Sequence, residues 1–136
     1  PYGRFDFANG SASAKLRQIW VGGGIGITPF IARMKALAVV PDGREVHLFY
    51  STAEPDEGFI ARLQRDAQAA GVTLHVLVSA RDGRLDVARI CDTVPGWAEA
   101  DVWFCGPGGF GQALREGFVA RGLPAADFHQ ELFDMR

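Results

Sequence analysis

The chain has 136 residues, 48% of them hydrophobic, and its 14 Lys and Arg against 16 Asp and Glu leave a formal net charge of −2. This size and composition suit one domain with a sizeable core, and without a basic surplus nucleic-acid or anionic-membrane binding has no bulk electrostatic support. No apolar run approaches the roughly twenty residues of a membrane span, and two cysteines, Cys91 and Cys105, are too few for a disulfide framework and lack zinc-ligand spacing, so unbridged thiols in a reducing, cytoplasmic setting are expected.

The opening Pro1-Tyr-Gly-Arg-Phe-Asp-Phe7 lacks an initiator Met and alternates like a strand belonging to something upstream, and residues 10–14, Gly-Ser-Ala-Ser-Ala, read as a flexible joint. An excised domain is therefore expected, with residues 1–14 as residue of a preceding unit plus linker and 15–136 as the domain proper. The first strand, Arg17 to Val21, breaks into Gly22-Gly-Gly-Ile-Gly-Ile-Thr-Pro-Phe30. Glycines there admit positive φ and the close approach of a phosphate, and a following helix offers free N–H groups and the positive end of its dipole. Thr28 as N-cap with Pro29 at the first helical position predicts the helix start. Gly23, Gly24, Gly26, Ile27, Thr28 and Pro29 are thus candidates to hold a dinucleotide pyrophosphate. The pattern departs from the usual dinucleotide fingerprint, because Pro29 stands where a third glycine is expected and the second strand ends in Ser51-Thr52 rather than an acid. A P-loop is excluded, since no Gly-Lys-Ser/Thr follows the glycines.

Further strands are predicted at Val46 to Tyr50, Leu74 to Ser79 and Val102 to Cys105, near-continuously apolar as strands buried on both faces should be, with a fifth at Phe128 to Phe133. Helical stripes separate them: Phe30, Ile31, Met34 and Leu37; Ile60, Leu63 and Ala67, ended by Gly71; a weaker segment from Leu85 to Thr93; and Phe110, Leu114 and Phe118. Glu54-Pro-Asp-Glu-Gly58 reads as a loop feeding acids into a helix N-terminus. This alternation predicts an α/β fold with a five-stranded parallel sheet, helices on both faces, and a ligand crevice at the carboxyl ends of the strands; the strand order expected for it, 3-2-1-4-5, is not dictated by the alternation. Ser51 and Thr52 fall on that side. His47, His75 and His129 occur one per strand with no carboxylate or cysteine at ligand distance, which predicts packing rather than a metal site. Trp20 and Trp103 are expected in the sheet and Trp97 in a loop, packed or facing a partner.

At the end of the fourth strand, Phe104-Cys-Gly-Pro-Gly-Gly-Phe110 forms a second glycine-rich break into a helix. With the first loop, the opening Pro1–Phe5 segment and the closing Phe128-His-Gln-Glu-Leu-Phe133, it makes the chain resemble the NAD(P)-binding domain of the ferredoxin-NADP reductase superfamily, especially its ferric-reductase-like and flavohaemoglobin-like branches. The resemblance implies the NAD(P)H-binding half of a flavoprotein reductase, inactive alone, which presents the nicotinamide of NADPH or NADH to FAD on a covalently linked upstream domain. It places Cys105, Gly106 and Pro107 on the nicotinamide side, Glu131 near the flavin-nicotinamide contact and Phe133 against the flavin. Cys105 and Glu131 are the catalytic candidates, Cys105 through position rather than as a nucleophile, since no His or Lys near it in sequence lowers its pKa. A haem or iron-sulfur domain in the parent, and a place on the cytoplasmic side of a membrane-bound protein, are further implications.

After the third strand, Val78-Ser-Ala-Arg-Asp-Gly-Arg84 partly matches the Ser-Arg pair with which NADPH-using relatives hold the 2′-phosphate, so Ser79 and Arg81 are candidates and NADPH is favoured. Asp82-Gly83 is equally a turn signal with both arginines solvated around it. Two rivals stand beside the reductase: a non-catalytic nucleotide-binding regulatory subunit, and a flavodoxin-like FMN domain, which would favour hydroxyl-rich loops over consecutive glycines.

Overall fold

The computed structural model describes residues 17–41 and 43–132, without the side chains of Ile25, Glu131 and Leu132. Five strands, β1 (Arg17–Gly23), β2 (Glu45–Thr52), β3 (Thr73–Val78), β4 (Ala100–Gly106) and β5 (Phe128–Leu132), form one parallel sheet in the order β3-β2-β1-β4-β5. The helices α1 (Thr28–Val39), α2 (Glu57–Ala70), α3 (Ser79–Asp82), α4 (Val87–Thr93) and α5 (Gly108–Ala120) make the connections. The predicted architecture and strand order are those observed. The expected upstream segment 1–14 and Phe133 lie outside the described residues.

The central position of β1 follows from its sequence. Side chains alternate across a strand, and Ile19 and Val21 enter one core while Trp20 enters the other, all at most 1% exposed. Strand β4 repeats this alternation: Ala100, Val102 and Phe104 pack on the α4/α5 side, Trp103 and Cys105 on the α1/α2 side. The α1/α2 core is closed by Phe30, Met34, Leu63 and Ala67, with Trp20 stacked on Phe30 at 5.5 Å between ring centroids. On the opposite face Ile90, Leu114 and Phe118 cover the sheet. Each large apolar side chain so removed from water contributes about 1.5–3 kcal/mol, so both layers are needed to hold a fully buried β1.

Local signals set most of the boundaries. Asp56 accepts a hydrogen bond from Phe59 N at 3.0 Å and Gly71 ends α2 in the left-handed conformation, φ 75°. Asp86 caps α4 by accepting from Arg89 N at 2.9 Å. The start of α1 differs from expectation. A 3-10 turn over Gly24–Ile27 runs straight into the helix, and Ile27 is the cap residue with helical φ −71°, ψ −19°. Thr28 is therefore already inside the helix, because the turn leaves no extended residue at the junction. The single turn α3 was also not expected; it begins where the third strand was predicted to run on into Ser79.

Both cysteines are free and buried. Trp97 is half-buried and packs on the core, its ring 6.1 Å from Phe118. Two of the three histidines do meet carboxylates, contrary to expectation: His47 Nε2 lies 3.0 Å from Glu45 Oε2 and His129 Nε2 3.1 Å from Asp101 Oδ1. Two-residue spacing on β2 and parallel register between β4 and β5 bring these pairs together. Among the described residues no group of three potential ligands gathers for a metal ion.

Candidate functional site

The carboxyl ends of β1 to β4 open onto one cleft of about 410 Å³. Its floor is the β1 loop, Gly23 and Gly24; one wall is the β2 end, Ser51 to Ala53, with Ser79, Arg84 and Leu85 after β3; the other is Pro107, Gly109 and Phe110 after β4. A crevice at the strand ends is where an open parallel sheet binds ligands. Gly24 has φ +59°, and a Cβ built there meets no atom within 4 Å, so the loop leaves room above its backbone. Among the described residues no carboxylate lines the cleft, and Arg84 is the one cation on its walls and forms no ion pair. The surface is suited to an anion flanked by hydroxyls.

A second compartment of about 470 Å³ shares Arg84, Leu85, Gly109 and Phe110 with the first and continues between α4 and α5, over Asp86, Val87, Ala113 and Leu114. Phe110 sits between the two. Its ring is held edge-on to Phe104 at 5.2 Å, and a Cβ on Gly23 would come within 3.3 Å of it. The cleft is thus polar beneath the β2 and β3 ends and apolar on the α5 side.

Of the residues singled out in the sequence, Gly23, Gly24, Ser51, Ser79 and Pro107 line this cleft together. Gly26, Ile27 and Gly106 do not line it; they are buried directly behind the floor. A Cβ on Gly26 would stand 2.1 Å from Cys105 O and 2.9 Å from Gly106 Cα, so this glycine lets the β1 loop dock on the β4 loop. Thr28 and Pro29 follow at the start of α1. Cys105 is 0% exposed and belongs to the α1/α2 core, consistent with packing rather than nucleophilic attack. Glu131 pairs through its backbone register with Cys105, which puts the two catalytic candidates side by side on neighbouring strands.

The arginines divide in a way that sequence did not show. Arg84 lines the cleft, whereas Arg81 lies in a separate groove on the α4 side with Phe49, His75 and Arg89. Its guanidinium is bonded to Asp82, Nε to Oδ1 at 3.2 Å and Nη2 to Oδ2 at 3.0 Å. That pairing raises the Arg81 pKa and holds the Asp82 carboxyl below its ordinary value, helped by the bond from Val78 N. Arg84, Leu85, Gly109 and Phe110 were not identified as site residues from sequence. The signal for Phe110 was its place directly after Gly108-Gly109 at the mouth of a strand-to-helix break.

No protein-family model matches the chain. It is 32% identical over 133 residues to the vanillate O-demethylase oxidoreductase of Pseudomonas putida, covering 98% of this chain and 39% of that protein. Its fold matches flavohaemoglobin from Malassezia yamatoensis, solved with bound FAD and haem, with a TM-score of 0.75 at 25% identity over 92% of this chain and 34% of that one. It also matches the flavohaem-like FAD/NAD-binding domain of nitric oxide dioxygenase from Vibrio cholerae, TM-score 0.71 at 25% identity, over 89% of this chain and 52% of that one. The chain is a ferredoxin-reductase-like NAD(P)-binding oxidoreductase domain, related to flavohaemoglobin and flavoprotein-reductase members and homologous to FAD-dependent oxidoreductases. It spans 39% of the length of the Pseudomonas relative.

Proposed function

We propose that this domain binds NADH or NADPH in the strand-end cleft and presents the nicotinamide for hydride transfer to FAD carried on a preceding domain of a longer reductase. The observation that carries this is the cleft itself: a glycine floor with open space above Gly24, hydroxyls and Arg84 on one wall, apolar surface on the other, and no acid among its described lining residues. A dinucleotide pyrophosphate fits the floor, where backbone N–H groups of the Gly24–Ile27 turn lead into α1 and favour negative charge. Its adenosine half then lies toward Ser51, Thr52, Ser79 and Arg84, and its nicotinamide toward the Cys105–Pro107 loop. The bound nucleotide supplies the hydride.

The chain's own residues do the positioning. Gly26 sets the β1 loop against the backbone of Cys105 and Gly106. The Cys105 side chain, buried beneath the loop, gives that end of the site a small rigid support, and Glu131, adjacent in register, lies at the edge from which a flavin would be approached. The names of the relatives, reductase components and flavohaemoglobins, support this reading. It takes residues 1–14 as the end of the flavin-binding domain plus linker, and a haem or iron-sulfur unit as the onward electron acceptor, on the cytoplasmic side of whatever structure carries it.

Calorimetric titration of the native chain and of Gly24→Asn with NAD⁺ and NADP⁺ tests the proposal. Asparagine tolerates positive φ, so the loop keeps its conformation while the side chain occupies the pyrophosphate space. Loss of binding of at least tenfold is expected; unchanged binding would remove the glycine floor from the account.

A further inference from the structure

We infer that Asp82 acts as a selectivity latch, holding Arg81 out of the nucleotide cleft so that, among the described residues, Arg84 is the guanidinium presented to the adenosine ribose. The inference rests on the nucleotide-binding role proposed above. Ser79, Ala80, Arg81 and Asp82 make up the one-turn helix α3, and its first residue lines the cleft. In so short a turn successive side chains diverge, and Arg81, two residues beyond Ser79, is committed to the α4-side groove by three contacts of 3.0–3.2 Å to the Asp82 carboxylate.

The carboxylate is itself anchored. Asp82 Oδ2 accepts a hydrogen bond from Val78 N at 3.0 Å, at the last residue of β3, and its side chain is only 28% exposed against 68% for Arg81. The acid is the fixed partner and the arginine the movable one. An arginine fork suits a phosphomonoester as well as a carboxylate, since both offer paired oxygens. A 2′-phosphorylated ribose beside Ser79 therefore competes with Asp82 for Arg81, whereas an unphosphorylated ribose has no use for it. Exposed ion pairs are weak, so the latch biases selectivity rather than abolishing binding. Asp82 is in this sense a positioning residue that favours the unphosphorylated cofactor.

The test measures the affinities of 2′,5′-ADP and 5′-AMP for the native chain, D82N and the double variant R81A/D82N. Asparagine keeps an acceptor for Val78 N and so preserves the turn, and thermal unfolding of each variant checks this. The latch predicts that D82N raises 2′,5′-ADP affinity by about two- to fivefold, the most that releasing an exposed ion pair returns, with 5′-AMP unchanged, and that R81A/D82N loses the gain. Unchanged 2′,5′-ADP affinity in D82N overturns the latch. A gain that survives in R81A/D82N also overturns it, by reducing Asp82 to simple repulsion of phosphate. If neither fragment binds the native chain, the nucleotide cleft fails and the latch with it.

Discussion

Replacing Gly26 with alanine separates two accounts of the glycine loop. The fingerprint logic of a dinucleotide fold uses such a glycine to let phosphate approach the backbone. In this chain the neighbour is instead the protein's own second loop: the added Cβ would stand 2.1 Å from Cys105 O, 2.6 Å from Cys105 C and 2.9 Å from Gly106 Cα. All three are backbone atoms of the last two β4 residues, held in register with β1 and β5, so no side chain can swing aside. Reaching ordinary contact at 3.4 Å demands that the loops part by about 1.3 Å. Overpacking of this kind costs roughly 1–3 kcal/mol and occasionally more, and a backbone-on-backbone clash belongs at the upper end. For a domain of this size, about 3 kcal/mol lowers the unfolding midpoint by roughly 10 °C. Gly24→Ala is the comparison. It meets no atom within 4 Å but occupies φ +59°, which costs a side chain about 1–2 kcal/mol. Thermal unfolding followed by circular dichroism should therefore rank Gly26→Ala below Gly24→Ala, and both below the native chain. A Gly26→Ala protein as stable as native, or more stable than Gly24→Ala, would refute the loop-docking argument.

Burial and the neighbouring His47 hold the His75 pKa below its ordinary 6.5, and His47 Nδ1 lies 3.2 Å from His75 Nε2. Below pH 6.5 the unfolded chain then binds more protons at this site than the folded one, so stability falls as pH drops from 6.5 through the folded pKa; His75→Asn should flatten that part of a urea-midpoint against pH curve, and an unaltered slope counts against the assignment. Arg84 is exposed and unpaired among the described residues, so Arg84→Ala should leave the unfolding free energy within about 0.5 kcal/mol of native while weakening NADP⁺ binding about tenfold, as read by calorimetry. Equal NADP⁺ affinity would take Arg84 out of the site.

The strands were legible because each is an apolar run with helical spacing between, whereas their order was expected from the family resemblance and not from any periodicity. The facing of Cys105 was also within reach: along β4, Ala100, Val102 and Phe104 occupy one face, which puts Cys105 on the other, with Trp103. The division between Arg81 and Arg84 was not. It depends on a four-residue turn and on a carboxylate pinned by Val78 N, and neither leaves a periodic trace. Composition marked Asp82-Gly83 as a turn but said nothing about which arginine it would turn outward. Thr28 illustrates the same limit at a helix start, where Thr-Pro reads as a cap but a preceding 3-10 turn carries the chain into α1 without one.

In the proposed function the strand-end cleft holds a dinucleotide with adenosine toward β2 and β3 and nicotinamide toward the β4 loop. Backbone amide shifts of the native chain titrated with NAD⁺ test it most directly, with 5′-AMP as the fragment that lacks the nicotinamide half. Both ligands should perturb Gly23, Gly24, Ser51, Ser79 and Arg84, and NAD⁺ alone should also shift Gly106 and Gly108 at the β4 loop. Shifts confined to other surfaces, or none with either ligand, would contradict it.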